Sequence, residues 1–492
     1  MKSDARLRIR NAIFAALPTE TSAFGAIPDN RTVYVPPSHR KALRLECNLV
    51  IGARGVGKTF WSGALQSEPI RRMIDDAISP LSKAIVRTGF GEQPSIDEYP
   101  DRDTFTHLLE EGARPYDIWR AVMACWTGEL LGKSLPRKTW GATVKWTKKN
   151  PETFSRMCER ANRLFEEKDG YGVIVFDALD RSSSDWGTMD AIARDLLRFV
   201  LTLKGFSRLH GKVFLREDQY GRQIMNFPDA SKLLATSAEL SWELHDLHGL
   251  LWQRLCNASE EHGELLRTYY TALMERLFSK QRDTALKQEA GVWRLPDALK
   301  REGKEQRILF HALAGEWMGN GPRRGNTYTW TVSHLADGKR RTSPRSFLAA
   351  IRNAAEDTRD NRPDCTFPLH YESIKRGVQE ASKVRITELA EDYPWTRAVM
   401  EPLRGLTVPL PFTDIENCWK RKFKTIDKMV DESSLPPEHL GQGWEGVRQD
   451  LVRLGVFETM RDGRVNMPDL FRVGFGLGRR GGVKPISRSS GE

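Results

Sequence analysis

The chain has 492 residues, 39% apolar and 29% charged, with a net charge of +11 and a pI near 9.3. That length exceeds one ordinary domain and suggests about three, while no apolar run approaches the ~18 residues that span a bilayer. Six scattered cysteines without any Cys-x-x-Cys pair indicate neither a disulfide framework nor a zinc site, so the compartment reads as cytoplasmic. The positive excess favours an anionic partner.

Residues 1–44 read as an N-terminal extension. Its apolar stretch Ile13–Leu17 is shorter than the roughly 7 to 15 residues of a secretory core, so the start reads as an amphipathic helix. Arg31-Thr-Val-Tyr-Val35 reads as a short strand ended by Pro36-Pro37.

A core over 45–237 opens with the strand-like Leu45–Ile51 and then Gly52-Ala-Arg-Gly-Val-Gly-Lys-Thr59. This is a complete Gly-x-x-x-x-Gly-Lys-Thr phosphate-binding loop between an apolar run and a helical segment. Gly52, Gly55 and Gly57 permit the turns that aim backbone N–H groups at a β-phosphate, and the helix opening at Lys58 adds its positive dipole end. Arg54, Val56 and Phe60 complete the expected nucleotide contacts. Lys58 would reach the β- and γ-phosphates and the Thr59 hydroxyl a Mg²⁺ ion. The chain is expected to bind ATP with Mg²⁺.

Lys58 and Asp177 lie 119 positions apart, so the interval must hold further strands, helices and an insertion. The insertion is placed near 130–150. Leu130–Asn150 carries Lys133, Arg137, Lys138, Lys145, Lys148 and Lys149 without a single Asp or Glu, and Trp140 and Trp146 are interleaved. A basic loop with aromatics could track a phosphate backbone and stack bases through Lys145, Trp146, Lys148 and Lys149. It could equally be a solvated surface anchored by its tryptophans.

Tyr171–Asp177 is an apolar run ending in an acid, the pattern of a buried parallel strand whose carboxyl end faces a ligand crevice. Asp177 is the expected Mg²⁺ carboxylate. Ala178 follows it, and the next acid, Asp180, is the candidate that orients the attacking water or else caps the following helix. Thr188–Leu203 has helical spacing. Gly211–Asp218 reads as the next strand, with Arg216 at its end as a γ-phosphate sensor or as an ion-pair partner of Asp177, Asp180 or Glu217 that holds the site together.

From Ala238 to about 400 the pattern is helical and reads as a lid. Within it Ser343 is an N-cap, Pro344 opens the first turn, and Arg345 could reach the triphosphate on lid closure. Residues 405–476 give helix, helix and a hairpin around Asp462-Gly463, the outline of a winged helix that either reads DNA with Arg448 and Arg453 facing it or, given a net charge of only +2 from Glu401 to Glu492, binds protein. The basic, glycine-rich 477–492 reads as a flexible or docked tail. The fold class is therefore α/β: a P-loop NTPase with a parallel sheet flanked by helices, a helical lid and a C-terminal winged-helix domain.

Taken in this order, Val50–Trp61, Asp177–Arg181, Phe214–Asp218, Leu240–Trp242 and Ser343–Phe347 resemble bacterial P-loop ATPases of the STAND and KAP type within the AAA+ superclass. The resemblance covers most of residues 40–475. It implies an ATPase switch that oligomerises or recruits effector proteins in antiviral defence-type assemblies, with Lys58, Asp177, Asp180, Arg216 and Arg345 as its working residues. Ala178 stands where such ATPases carry a second acid, which implies slow hydrolysis. The alternative is an ATP-controlled DNA-binding regulator of the transposition or replication-loader type.

Overall fold

A computed structural model describes residues 3–17, 26–78, 80–179, 182, 185–220, 223–277, 284–301, 303–429, 435–481 and 483–485. The chain divides into two compact units, Ser22–Ser241 and Met1–Thr21 together with Trp242–Glu492.

In Ser22–Ser241, five parallel strands form one sheet: β1 (Leu49–Gly52), β2 (Ala84–Phe90), β3 (Tyr171–Phe176), β4 (Leu209–Arg216) and β5 (Ala238–Glu239), in the order β2-β3-β4-β1-β5. The chain leaves β1, crosses to the far edge at β2, returns through β3 and β4, and then crosses β1 to reach β5. This is an open, doubly wound sheet with its reversal at β1, where ligands bind beyond the carboxyl ends of the strands. With the phosphate loop on β1, the fold is that of a P-loop NTPase. β1 and β3 are apolar runs because both faces of a parallel sheet are covered by helices. Trp119, on the helix Pro115–Leu130, fills one face, with ring centroids 5.0 Å from Phe105, 5.5 Å from Phe176 and 5.8 Å from Phe90.

β4 carries Lys212 through the sheet interior. Its ammonium is 1% exposed and donates to the carbonyls of Ala42 (2.7 Å), Arg44 (2.9 Å) and Cys47 (2.6 Å). Burial pushes its pKa down. A buried cation is tolerated only when its protons find acceptors, and here the three acceptors pin the segment that leads into β1.

Several expected elements differ. Arg31–Val35 is no strand: Asn30–Thr32 is a 3-10 turn capped by the Asp29 carboxylate, and prolines 36 and 37 leave the residues around it without a ladder. The basic segment is a helix, Trp140–Lys149, and not a loop, with Thr139 as its N-cap. Ala238 and Glu239 pair with Val50 and Ile51, so the helical stretch starts only at Leu244.

The second unit is mostly helical. The helices Pro344–Asn361 and Tyr371–Asp392 pack closely, and the N-terminal helix Ser3–Ala16 packs on Pro344–Asn361 and on Glu260–Leu277. Ser3–Ala16 therefore belongs with residues 242–492. Arg10 fastens it: this 1%-exposed guanidinium donates to the carbonyls of Pro363 (2.7 Å), Cys365 (2.8 Å), Phe367 (3.0 Å) and Pro368 (3.0 Å). Small strand pairs complete the unit: β6 (Lys287–Glu289) with β7 (Val292–Arg294), β8 (Thr407–Val408) with β11 (Gly478–Arg479), and β9 (Glu458–Thr459) with β10 (Val465–Asn466). Helices Phe412–Phe423 and Gly443–Arg453 precede the β9–β10 hairpin, the expected helix, helix, hairpin order. The start of the tail is docked through β11.

Arg10→Ala should lower the urea midpoint by an amount equivalent to at least about 2 kcal/mol, because buried carbonyls lose a charged donor. An unchanged midpoint would show that water replaces the guanidinium freely.

Candidate functional site

The phosphate loop leaves β1 at Gly52 and enters the helix Lys58–Gln66. Gly55 (φ +76°) and Gly57 (φ +108°) take left-handed backbone conformations that a side chain would strain. These turns let the loop double back over the helix N-terminus, where the first N–H groups have no intrahelical acceptor. Lys58 Nζ lies over the loop, 3.1 Å from the Gly52 carbonyl and 3.0 Å from that of Ala53. A phosphate held by the loop would meet the ammonium there. Val56 is buried, Arg54, Thr59 and Phe60 are half-buried, and Phe60 stands edge-on to Trp61 at 5.2 Å.

Strand register decides what else reaches this place. Gly52 pairs with Arg216, so the end of β4 lies directly beside the start of the loop. The Arg216 guanidinium grips Asp218 with both arms, Nε to Oδ1 at 3.1 Å and Nη2 to Oδ2 at 3.0 Å. Arg216 is thus ion-paired, with Asp218, an acid outside the expected set of Asp177, Asp180 and Glu217, and the pair holds the guanidinium next to the loop. Asp177 follows β3 on the other side of β4, 3% exposed, its N–H bonded to the Phe90 carbonyl at 2.9 Å. Ala178 then turns at φ +57°. Non-glycine residues adopt this conformation at a cost of roughly 1–2 kcal/mol, so the acid is presented by a sharp bend at the strand's end. Thr59 and Asp177 offer a hydroxyl and a carboxylate, the hard oxygen donors that suit Mg²⁺. Asp180 lies outside the described residues. Arg345 belongs to the other unit and pairs with Glu388, which Arg385 also reaches at 3.2 Å.

A contribution from the N-terminal segment was not legible in the sequence. Trp61, one turn into the phosphate-loop helix, is 1% exposed and donates Nε1–H to Nδ1 of His39 at 2.9 Å. Burial lowers the His39 pKa to about 3, so the ring is neutral and Nδ1 accepts this bond. The signal was a tryptophan just inside the helix, whose N–H needs a buried partner.

The helix Trp140–Lys149 exposes Lys145, Lys148 and Lys149, but its tryptophans turn inward. Trp140 is 9% exposed and donates to the Ile96 carbonyl at 2.8 Å; Trp146 packs against the core. The helix thus gives Trp140 to the core and Lys145, Lys148 and Lys149 to solvent, with Trp146 half-buried between them. Elsewhere Glu438, His439 and Asp450 cluster, yet His439 Nδ1 already bonds Asp450 at 2.6 Å and Glu438 pairs with Arg453.

No protein-family model matches the sequence, and no curated protein matches it. Among solved structures, the ORC2 protein of Aeropyrum pernix in its ADPNP-ADP complexes aligns over 89% of this chain and 93% of its own, at 11% identity and a TM-score of 0.32. The ADP form of that protein aligns over 90% and 93%, at 11% identity and a TM-score of 0.34. Likenesses this loose transfer nothing, and the fold assignment rests on the strand order and the loop. No helix among the described residues is long and apolar enough to cross a membrane.

Trp140→Ala should lower stability by about 3–5 kcal/mol, the range for emptying a core tryptophan site. Reversing Lys145, Lys148 and Lys149 to Glu should leave the melting temperature within a degree or two, since exposed charges contribute little. Differential scanning calorimetry of both variants checks this, and a Trp140→Ala protein as stable as the wild type would contradict the packing.

Proposed function

We propose that the chain is an ATP-binding, slowly hydrolysing switch of the AAA+ kind, whose nucleotide state governs assembly with further copies or with partner proteins. The observation that carries this reading is the complete phosphate loop on β1 with Arg216 and Asp177 at the ends of β4 and β3. In this reading the loop N–H groups and Lys58 bind the β- and γ-phosphates, and Thr59 and Asp177 hold Mg²⁺. The ion, when bound, neutralises charge on the phosphate oxygens. Water attacks the γ-phosphorus as the bond to the bridging oxygen breaks, and ADP leaves. Asp180 orients that water. Arg216, steadied by Asp218, senses the γ-phosphate from the neighbouring strand, and Arg345 is the candidate that couples the second unit to nucleotide state.

Ala178 supports a slow cycle, because the position after Asp177 contributes no second carboxylate. The STAND/KAP type and the antiviral defence-type complex rest on sequence resemblance alone. The DNA-binding alternative stays open through the exposed lysines of the Trp140–Lys149 helix; within the winged-helix-like segment Arg448 bonds Glu445 at 3.2 Å and covers the Phe412 ring at 5.0 Å, and Arg453 pairs with Glu438. Those bonds favour a protein partner over a DNA groove for this winged-helix-like segment.

Lys58→Ala should abolish ATP binding or turnover while the circular dichroism spectrum stays unchanged. Asp177→Asn should weaken the Mg²⁺ dependence of binding, and Asp180→Asn should retain ATP while slowing phosphate release. Wild-type turnover by Lys58→Ala would overturn the site assignment, and wild-type turnover by Asp180→Asn would leave that residue as a helix cap.

A further inference from the structure

The unit containing residues 242–492 holds a cavity of about 670 Å³ between the helix Thr327–His334, the turn that follows it, the β9–β10 hairpin and β11. That volume suits a small organic ligand and far exceeds a single ion. We propose that this cavity binds a phosphorylated small molecule of nucleotide size, its phosphate at Arg340, Arg479 and Arg480 and an N–H or O–H donor at Asn466.

Charge gives the first half of the argument. The acids lining the cavity already have donors. Asp469 is held by the fully buried Arg472, Nε at 2.9 Å and Nη2 at 2.8 Å, and by the Val483 N–H at 3.2 Å. Asp337 accepts from the N–H groups of Lys339 (2.9 Å) and Arg341 (3.0 Å), and Glu458 from Asn466 Nδ2 (2.7 Å). The rim arginines are differently placed. Arg340, Arg479 and Arg480 are exposed; Arg340 and Arg480 form no ion pair among the described residues, and Arg479 reaches only Asp469, at 3.7 Å. The charge left over at the mouth is positive, and three guanidinium forks match the several oxygens of a phosphate.

Hydrogen bonding gives the second half. Asn466 is 4% exposed, and its Oδ1 is buried without a partner while Nδ2 is engaged by Glu458. A buried acceptor without a partner is costly, and a ligand donor would recover that cost. His334 adds a second acceptor: Nδ1 bonds the Trp330 carbonyl at 2.9 Å and so carries the proton, burial lowers its pKa, and Nε2 keeps its lone pair, 3.8 Å from Asp469 Oδ2. Acceptors on the lining together with exposed cations call for a ligand carrying donors and an anion, as a nucleoside monophosphate does.

The proposal does not depend on the ATPase reading, and titration calorimetry of the full chain keeps the two apart. AMP should bind a Lys58→Ala protein, and adding Arg340→Ala and Arg480→Ala should weaken it about tenfold or more. Inorganic phosphate, which cannot satisfy Asn466 and the rim together, should bind more weakly than AMP. The rim substitutions alone should leave ATP turnover unchanged, so a failed phosphate-loop assignment would show separately, as turnover by Lys58→Ala. Competition by a 5′-phosphorylated hexanucleotide would place the ligand at a strand end, and its failure to compete would assign a free nucleotide. AMP binding that disappears with Lys58→Ala alone, or that survives both rim substitutions undiminished, overturns the proposal.

Discussion

The pairing of β1 with β4 is the constraint from which the rest of the site follows. With Gly52 held opposite Arg216, the loop that leaves β1 must rise next to the end of β4, and β3 on the far side of β4 brings Asp177 to the same edge. Three groups far apart in sequence are thereby fixed at one end of one sheet by main-chain hydrogen bonds. No side-chain contact between them is required. A one-residue slip of β4 would invert its faces, moving Lys212 away from its carbonyls and Arg216 away from the loop together.

Lys212 shows how that register is enforced. An ammonium buried in the sheet is tolerable only while Ala42, Arg44 and Cys47 accept its protons. The same chemistry recurs in the other unit, where Arg10 is wrapped by four carbonyls and Arg472 joins Asp469 to the carbonyls of Leu477 and Val483. Each buried cation ties down a segment at the edge of the fold: the lead into β1, the N-terminal helix, and the C-terminal tail that β11 also docks. These charges are spent inside the fold, so the chain's net positive charge overstates what its surface offers an anionic partner.

The phosphate loop was legible because its glycine spacing is dictated locally by the turns it makes. β3 was legible because burial on both faces demands an unbroken apolar run, and the helix from Pro344 because Ser343 caps it through a 3.1 Å bond to the Ser346 N–H. β2 carries no such signature: it is an edge strand, and Arg87, Thr88 and Gly89 break its apolar pattern. β5 is two residues long and lies within a leucine-rich stretch that reads as helix. The pairing of His39 with Trp61 depends on how a turn folds back, which no local pattern encodes. At Trp140–Lys149 interleaved lysines and tryptophans read as a loop until a helix draws Trp140 into the core and leaves Lys145, Lys148 and Lys149 exposed.

The arginines of the second unit illustrate how position changes the meaning of a charge. Arg448 and Arg453 looked like a DNA-reading pair in sequence, yet acids and an aromatic ring close by engage both. Arg340 and Arg480 carried no motif at all, and they stand at the mouth of a cavity whose own acids are answered from within. A guanidinium acts on a partner only when its local acids are absent or already held. By that criterion the positive charge that can recognise an anion in the second unit lies at the β11 rim, and the lysines of the Trp140–Lys149 helix are its counterpart in the first.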